Sequence, residues 1–187
     1  QIHYPGAGVG GPCLPVNSYQ MLNSAKGISD DLLKMVKASR EINESMPFYV
    51  VKLLKNAFTE IDKKIETSKI LILGISYKPN VKDIQLSPAK IIISELKKLG
   101  TDIRIFDPFY KSTTVYGIKT ANELEEVISD VDAAIIVTAH EEFKNIKPEY
   151  FLSKMRSPVL IDTRGIIDIH AAEKTGLIFR GLGRGKI

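Results

Sequence analysis

The sequence has only one cysteine, Cys13, in 187 residues, so no internal disulfide can form and nothing points to an oxidising compartment. No apolar run approaches the roughly 20 residues that a membrane-spanning helix requires. No signal-peptide pattern opens the chain either, and these two absences predict a cytoplasmic protein without a membrane partner. The three histidines, His3, His140 and His170, are scattered and lack ligand spacing, which argues against a metal site. No basic tract of the kind that grips nucleic acid is present, because the 26 Lys and Arg residues are interspersed with 22 acidic ones for a net charge of only +4. There is no internal repeat and no low-complexity tract.

What is present is enough apolar material for a core, 44% of the chain, with 26% charged residues. Tyr4 to Asn17 reads as a loop broken by Pro5, Gly6, Gly8, Gly10, Gly11, Pro12 and Pro15. The chain opens without methionine and enters this glycine-rich loop within six residues, which predicts a piece of a longer protein or, alternatively, a trimmed or processed N-terminus. Ser29 to about Ile65 reads as helical, with Ser29 as N-cap, Asp30 and Asp31 in the first turn, and a kink or restart at Pro47. A helix with such an apolar stripe must pack on something, either further chain or a second copy.

From Lys69 onward strands and helices alternate. Strands are expected at 69–73, 102–106, 131–137, 159–162 and about 177–180, and helices at 88–99, 121–128 and 148–155. Strands apolar on both faces and separated by helices predict an α/β fold with a parallel sheet. Ligands then bind beyond the C-terminal ends of the strands. The loops of interest are 74–87, 107–110, 138–142 and 162–165.

Several residues there could carry chemistry. Cys13, in Gly-Val-Gly-Gly-Pro-Cys-Leu-Pro-Val-Asn, reads equally as a buried structural cysteine and as a thiol poised to attack an aldehyde or acyl carbon. The loop Gly74-Ile-Ser-Tyr-Lys-Pro-Asn sits where a phosphate-binding turn would, but lacks the full Gly-x-Gly-x-x-Gly pattern, and Lys78 reads either as a phosphate contact or as a solvated side chain. Arg164, after the strand ending in Asp162-Thr163, has the paired donors that suit a pyrophosphate. Arg180 and Arg184 are weaker candidates of the same kind.

Taken together these residues resemble the UDP-glucose/GDP-mannose dehydrogenase family, nearly end to end. Pro5-Gly-Ala-Gly-Val-Gly-Gly-Pro-Cys13-Leu-Pro-Val is similar to the family's catalytic-cysteine loop, and Ser39-Arg-Glu-Ile-Asn-Glu-Ser-Met-Pro47 to the helical stretch that follows it. Leu71-Ile-Leu-Gly-Ile-Ser-Tyr-Lys-Pro-Asn80 with Ser87-Pro88 resembles the opening of the C-terminal domain, and Ile105-Phe-Asp-Pro108 and Asp162-Thr-Arg-Gly165 follow in the expected order. The cysteine loop and the Arg-Glu-Ile-Asn stretch are more similar to the UDP-N-acetylhexosamine branch than to the UDP-glucose branch.

The resemblance implies a cysteine loop and helical dimerisation segment over 1–68, and a Rossmann-like parallel-sheet UDP-binding domain over 69–187, with the family's NAD-binding domain lying upstream. It implies an NAD-dependent oxidation of a UDP-sugar, UDP-N-acetylmannosamine or alternatively UDP-glucose, at the C6 alcohol, through a thiohemiacetal and a thioester on Cys13. Tyr4, Gly8, Val9 and Gly10 would line the sugar site. Tyr77, Lys78 and Arg164 would hold UDP, and helices within 29–66 would form a homodimer. Two departures stand out. Asn17 occupies a position where the family carries Asp, and an amide cannot take a proton as a carboxylate does. Gln85 stands in place of an Arg that would reach the NAD pyrophosphate, which predicts weaker cofactor binding. The residues by themselves also allow a non-catalytic, dimeric UDP-sugar-binding module, or a generic Rossmann-like domain that happens to carry a cysteine.

Overall fold

The structure, a computed structural model, describes residues 4–28, 31 and 33–184. Two helices open it, α1 (Leu14–Ser24) and α2 (Lys34–Glu60). There follow β1 (Lys69–Leu73), α3 (Pro88–Lys98), β2 (Asp102–Phe106), a short hairpin of β3 (Thr114–Val115) and β4 (Ile118–Lys119), α4 (Glu125–Ile128), β5 (Ala133–Ile136), α5 (Glu141–Lys144), α6 (Pro148–Lys154), β6 (Val159–Asp162), α7 (Ile169–Thr175) and β7 (Ile178–Gly181).

The five longer strands form one sheet in the order β2-β1-β5-β6-β7, and every pair in it is parallel. Ile70, Leu71, Ile72 and Leu73 expose none of their surface, and nor do Ala133 to Ile136, because helices cover both faces. On one face β1 and β5 present Ile70, Ile72, Ala133 and Ile135 to α3 and to the second half of α2, through Val50, Leu54, Ala57 and Phe58. On the other face Leu71, Leu73, Ala134 and Ile136 meet Phe143, Phe151 and Phe179. The sheet is the expected Rossmann-like one. Its lateral order runs one way from β1 to β2 and the other way from β1 to β5, so the crevice between the ends of β1 and β5 is the switch point at which such sheets take ligands.

The helical segment departs from expectation in three ways. Leu14 to Asn17 is helical, not loop: Pro15 falls in the first turn of α1, where its missing N–H costs no hydrogen bond. The long helix is capped by Leu33, while Ser29 and Asp30 lie outside the described residues. Of the kink or restart expected at Pro47, the restart does not occur, because α2 runs through it. Proline cannot donate to the carbonyl four residues back, and that carbonyl belongs to Asn43, whose freed oxygen faces Gly8 of the cysteine loop instead. Further along, the helix expected over 121–128 is confined to Glu125–Ile128, and the hairpin, α5 and α7 were not expected. These short elements carry too few residues to show a period.

At the edge of the sheet opposite the crevice, Asp132 is fully buried and accepts from Lys69 N–H at 2.9 Å, Arg156 Nε at 2.8 Å and Ser157 Oγ at 3.1 Å, with Lys63 Nζ also against it. Burial alone would raise its pKa, but the hydrogen bonds from Arg156, Lys63 and the Lys69 backbone outweigh burial and hold it far below the ordinary carboxylate range. A carboxyl depressed in the folded state stabilises the fold at all pH above its unfolded value, about 3.9, and that contribution is lost as pH falls through the lower, folded value. Asp132→Asn is therefore expected to lower unfolding free energy at pH 7 by about 3 kcal/mol. Urea titrations should show the gap to the parent chain closing below about pH 4.

Candidate nucleotide and cysteine site

The site begins with an approach of backbone to side chain that only glycine permits. Gly11 has φ +83°, and a Cβ built on it would lie 2.6 Å from Tyr77 Cε2, so the Tyr77 ring packs against the loop only because no side chain intervenes. Gly6 does the same for Arg164: a Cβ there would overlap the guanidinium. Gly10 is buried against Tyr77 and the carbonyl of Leu86, whose own φ is +48°. One backbone hydrogen bond, Gly11 N–H to Gln85 O at 2.9 Å, ties the cysteine loop to the loop that follows β1.

Helix α2 holds the loop from the other side. Asn43 Oδ1 accepts Val9 N–H at 2.7 Å, and Asn43 Nδ2 donates to Val9 O at 3.3 Å, so one side-chain amide satisfies both backbone groups of one residue. The loop then turns into α1 at Cys13, which is its N-cap, is exposed and carries a free thiol. Cys13 therefore sits at the positive end of a helix, where negative charge developing on a bound oxygen is favoured. Asn17 lies one turn on, its N–H bonded to Cys13 O at 2.9 Å, so both side chains leave the same face of α1.

Arg164 comes from the turn after β6, and Asp162 builds that turn. Its carboxylate accepts the N–H groups of Arg164 at 2.8 Å, Gly165 at 2.8 Å and Ile167 at 2.9 Å. The Arg164 side chain donates to none of the described residues, and its buried Nε has no partner among them. Burial pulls its pKa below the ordinary arginine value, against the field of Asp162. A half-buried guanidinium with unused donors, packed on a glycine-rich backbone at the C-terminal edge of a parallel sheet, is fitted to an anion such as a phosphate.

Of the residues singled out from the sequence, the structure brings Gly8, Val9, Gly10, Tyr77, Gln85 and Arg164 into one wall around the cysteine loop. Tyr4, Cys13, Asn17 and Lys78 are exposed. Gln85 enters through its backbone, accepting from Gly11 and donating to Asp83 Oδ1 at 2.8 Å, while the residue remains exposed. Asn43 and Asp162 were missed. Asp162 ends a strand and precedes an arginine, and Asn43 closes the Arg-Glu-Ile-Asn stretch, so both lay within motifs singled out from the sequence, but no local pattern assigns either its contacts. The spacing Gly6-Ala-Gly8-Val-Gly10-Gly11 matches Gly-x-Gly-x-x-Gly, but these glycines pack on Tyr77, Leu86 and Arg164 and do not form a strand-to-helix phosphate turn.

The fold is a Rossmann-like α/β domain joined to a helical segment that presents an exposed cysteine. Residues 71–169, more than half of the chain, match the family model described as UDP-glucose/GDP-mannose dehydrogenase family, UDP binding domain, and the chain belongs to that family. It is similar over its whole length, at 35% identity, to the UDP-N-acetyl-D-mannosamine dehydrogenase of Pyrococcus horikoshii, covering 41% of that protein; superposition on the solved structure of that dehydrogenase gives a TM-score of 0.87. It is 32% identical over 97% of its length to the UDP-N-acetyl-D-mannosamine dehydrogenase of Methanocaldococcus jannaschii, covering 40% of it. The crystal structure of an NDP-N-acetyl-D-galactosaminuronic acid dehydrogenase from Methanosarcina mazei, 26% identical, matches 98% of this chain and 40% of that one with a TM-score of 0.86. The chain thus spans about two fifths of the length of the curated relatives it matches.

Removing the Asn43 amide should leave Val9 N–H and O without partners. Asn43→Ala is expected to cost about 1–3 kcal/mol of stability and to free the cysteine loop for proteolysis. Limited digestion followed by mass spectrometry would show new cuts within residues 4–12.

Proposed function

We propose that the chain is the cysteine-bearing, UDP-binding part of an NAD-dependent UDP-sugar 6-dehydrogenase, with a UDP-N-acetylhexosamine, of the kind named for its relatives, as substrate. The observation that carries this reading is the convergence of the Cys13 loop, Tyr77 and Arg164, whose buried Nε has no partner among the described residues, on one edge of the sheet. Residues 69–187 hold the nucleotide: Arg164 and Lys78 meet the pyrophosphate, and Tyr77 braces the loop. Residues up to 68 supply the thiol and the contact between copies. The backbone from Tyr4 to Gly10 lies along the sugar, and its extended loop brings the C6 carbon toward Cys13.

Cys13 Sγ then adds to the carbon of the C6 aldehyde. The new S–C bond leaves the former carbonyl oxygen as the hydroxyl of a thiohemiacetal, with negative charge during the attack favoured by the α1 N-terminus. Loss of hydride from that carbon gives a thioester, and water releases the carboxylate and returns the thiol. Asn17, one turn from Cys13, can hold that water through a hydrogen bond but cannot take its proton. The described residues offer no complete dinucleotide cradle: the loop after β1 crosses the crevice, with Asn80 bonded to the residues after β5, and Gln85 brings no charge. NAD+, held by parts of the enzyme outside this chain, would accept hydride in both oxidations.

A homodimer through α2 fits the exposed apolar stripe of Met35, Ile42 and Tyr49, spaced seven residues apart along the helix. A non-catalytic UDP-sugar-binding module is the competing reading, and Asn17 and Gln85 favour it.

Thermal-shift titration tests the nucleotide assignment. UDP at 100 times its dissociation constant should stabilise the chain by about 2.7 kcal/mol, NAD+ should do nothing, and Arg164→Ala should remove the UDP effect. An unchanged shift in Arg164→Ala would contradict the assignment. The chain by itself should yield no NADH from a UDP-sugar. In the complete enzyme, Cys13→Ala should abolish formation of the acid, read by product mass spectrometry; undiminished acid would refute the thioester route.

A further inference from the structure

The proposed chemistry makes no use of a buried pair beneath the site, Asp107 at the end of β2 and His140 after β5, neither of which exposes any surface. Asp107 Oδ2 accepts Ile75 N–H at 2.7 Å and Ser76 N–H at 3.2 Å, and lies 3.1 Å from His140 Nε2, while Oδ1 accepts Phe109 N–H at 2.9 Å. Across the imidazole ring, His140 Nδ1 accepts Asn80 N–H at 3.0 Å. A carboxylate at one nitrogen and an N–H donor at the other fix the tautomer with the proton on Nε2. Asn80, at φ +59°, in turn accepts Glu141 N–H through Oδ1 at 3.0 Å, and the Thr138 hydroxyl donates to Ser76 O at 2.6 Å.

The residues on either side of Tyr77 and Lys78 are therefore tied to the ends of β2 and β5, across the switch point of the sheet. In a dinucleotide-binding sheet the acidic residue ending the second strand takes ribose hydroxyls. Here that place belongs to Asp107, and its acceptor positions are filled by the chain's own N–H groups. The crevice holds a loop in position.

We infer that His140 is a positioning residue: with Asp107 it clamps the Tyr77–Lys78 loop across the switch point in the conformation that meets the nucleotide's phosphates. This rests on the assignment of that loop to UDP. His140 also packs between Phe109, with ring centroids 5.1 Å apart, and Phe143, at 5.5 Å. A phenyl ring at 140 would keep this packing and lose both hydrogen bonds, whereas a glutamine amide can donate to Asp107 and accept from Asn80.

Calorimetric titration of UDP into the 187-residue chain and three variants separates the possibilities, with amide hydrogen exchange as a second readout. His140→Phe should lower UDP affinity about tenfold or more and speed exchange at Asn80, with the amides of β5 and β6 unchanged, and His140→Gln should recover most of the affinity. Wild-type affinity in His140→Phe, no recovery in His140→Gln, or faster exchange throughout β5 and β6 would each overturn the clamp. Lys78→Ala identifies which idea has failed. If it weakens UDP binding while His140→Phe does not, the clamp alone is wrong. If it binds UDP like the parent chain, the assignment of the loop to the phosphates falls and the clamp falls with it.

Discussion

The site depends on the contact between two backbones, the glycine run of the cysteine loop and the loop that follows β1. A single N–H···O bond from Gly11 to Gln85, the Tyr77 ring against Gly11 and the Arg164 guanidinium against Gly6 hold the cysteine loop against the edge of the sheet. Each contact requires the absence of a side chain, so the glycines are shaped by what packs on them as much as by their own torsions. The long helix completes the arrangement: its second half is part of the hydrophobic core, and its middle grips the loop through Asn43. A segment bearing the thiol and a sheet bearing Tyr77 and Arg164 are thereby joined through one packed unit.

Much of this was legible in the sequence because the signals were long or chemically specific. KILIL and VDAAIIV could only be strands buried on both faces, Pro88 and Gly100 bracketed α3, and the spacing of the cysteine loop and the Tyr-Lys-Pro-Asn loop pointed to the family. What escaped was of two kinds. Short elements such as the β3–β4 hairpin and α7 are set by tertiary packing and show no period. At Pro47 the local rule allows a kink or a restart, and α2 runs through without restarting: the carbonyl that Pro47 leaves free faces the cysteine loop, an outcome visible only once both are placed. His140 was set aside as a stray histidine lacking metal-ligand spacing. Its partner Asp107 is 33 positions away, and only the sheet brings them together.

The two departures from the family pattern take on distinct meanings in the fold. Gln85 contributes its backbone to the loop contact whatever its side chain, so the change from an arginine leaves the architecture intact and removes only an exposed charge. Asn17 keeps its place one turn from Cys13 and retains hydrogen-bonding capacity without basicity. In the proposed reading both changes bear on the chemistry and on cofactor affinity, and neither disturbs the packing of the wall around the cysteine loop. That wall is therefore the part of the account shared by an active enzyme and by a binding module.

A crystal structure of this chain with UDP would test the central claim most directly. The account predicts the pyrophosphate within hydrogen-bonding distance of the Arg164 guanidinium and beside the Tyr77–Lys78 loop, with the distal phosphate directed toward the cysteine loop. UDP lying elsewhere, for instance in the cleft between Phe106 and Tyr150 on the far side of β2, would contradict it.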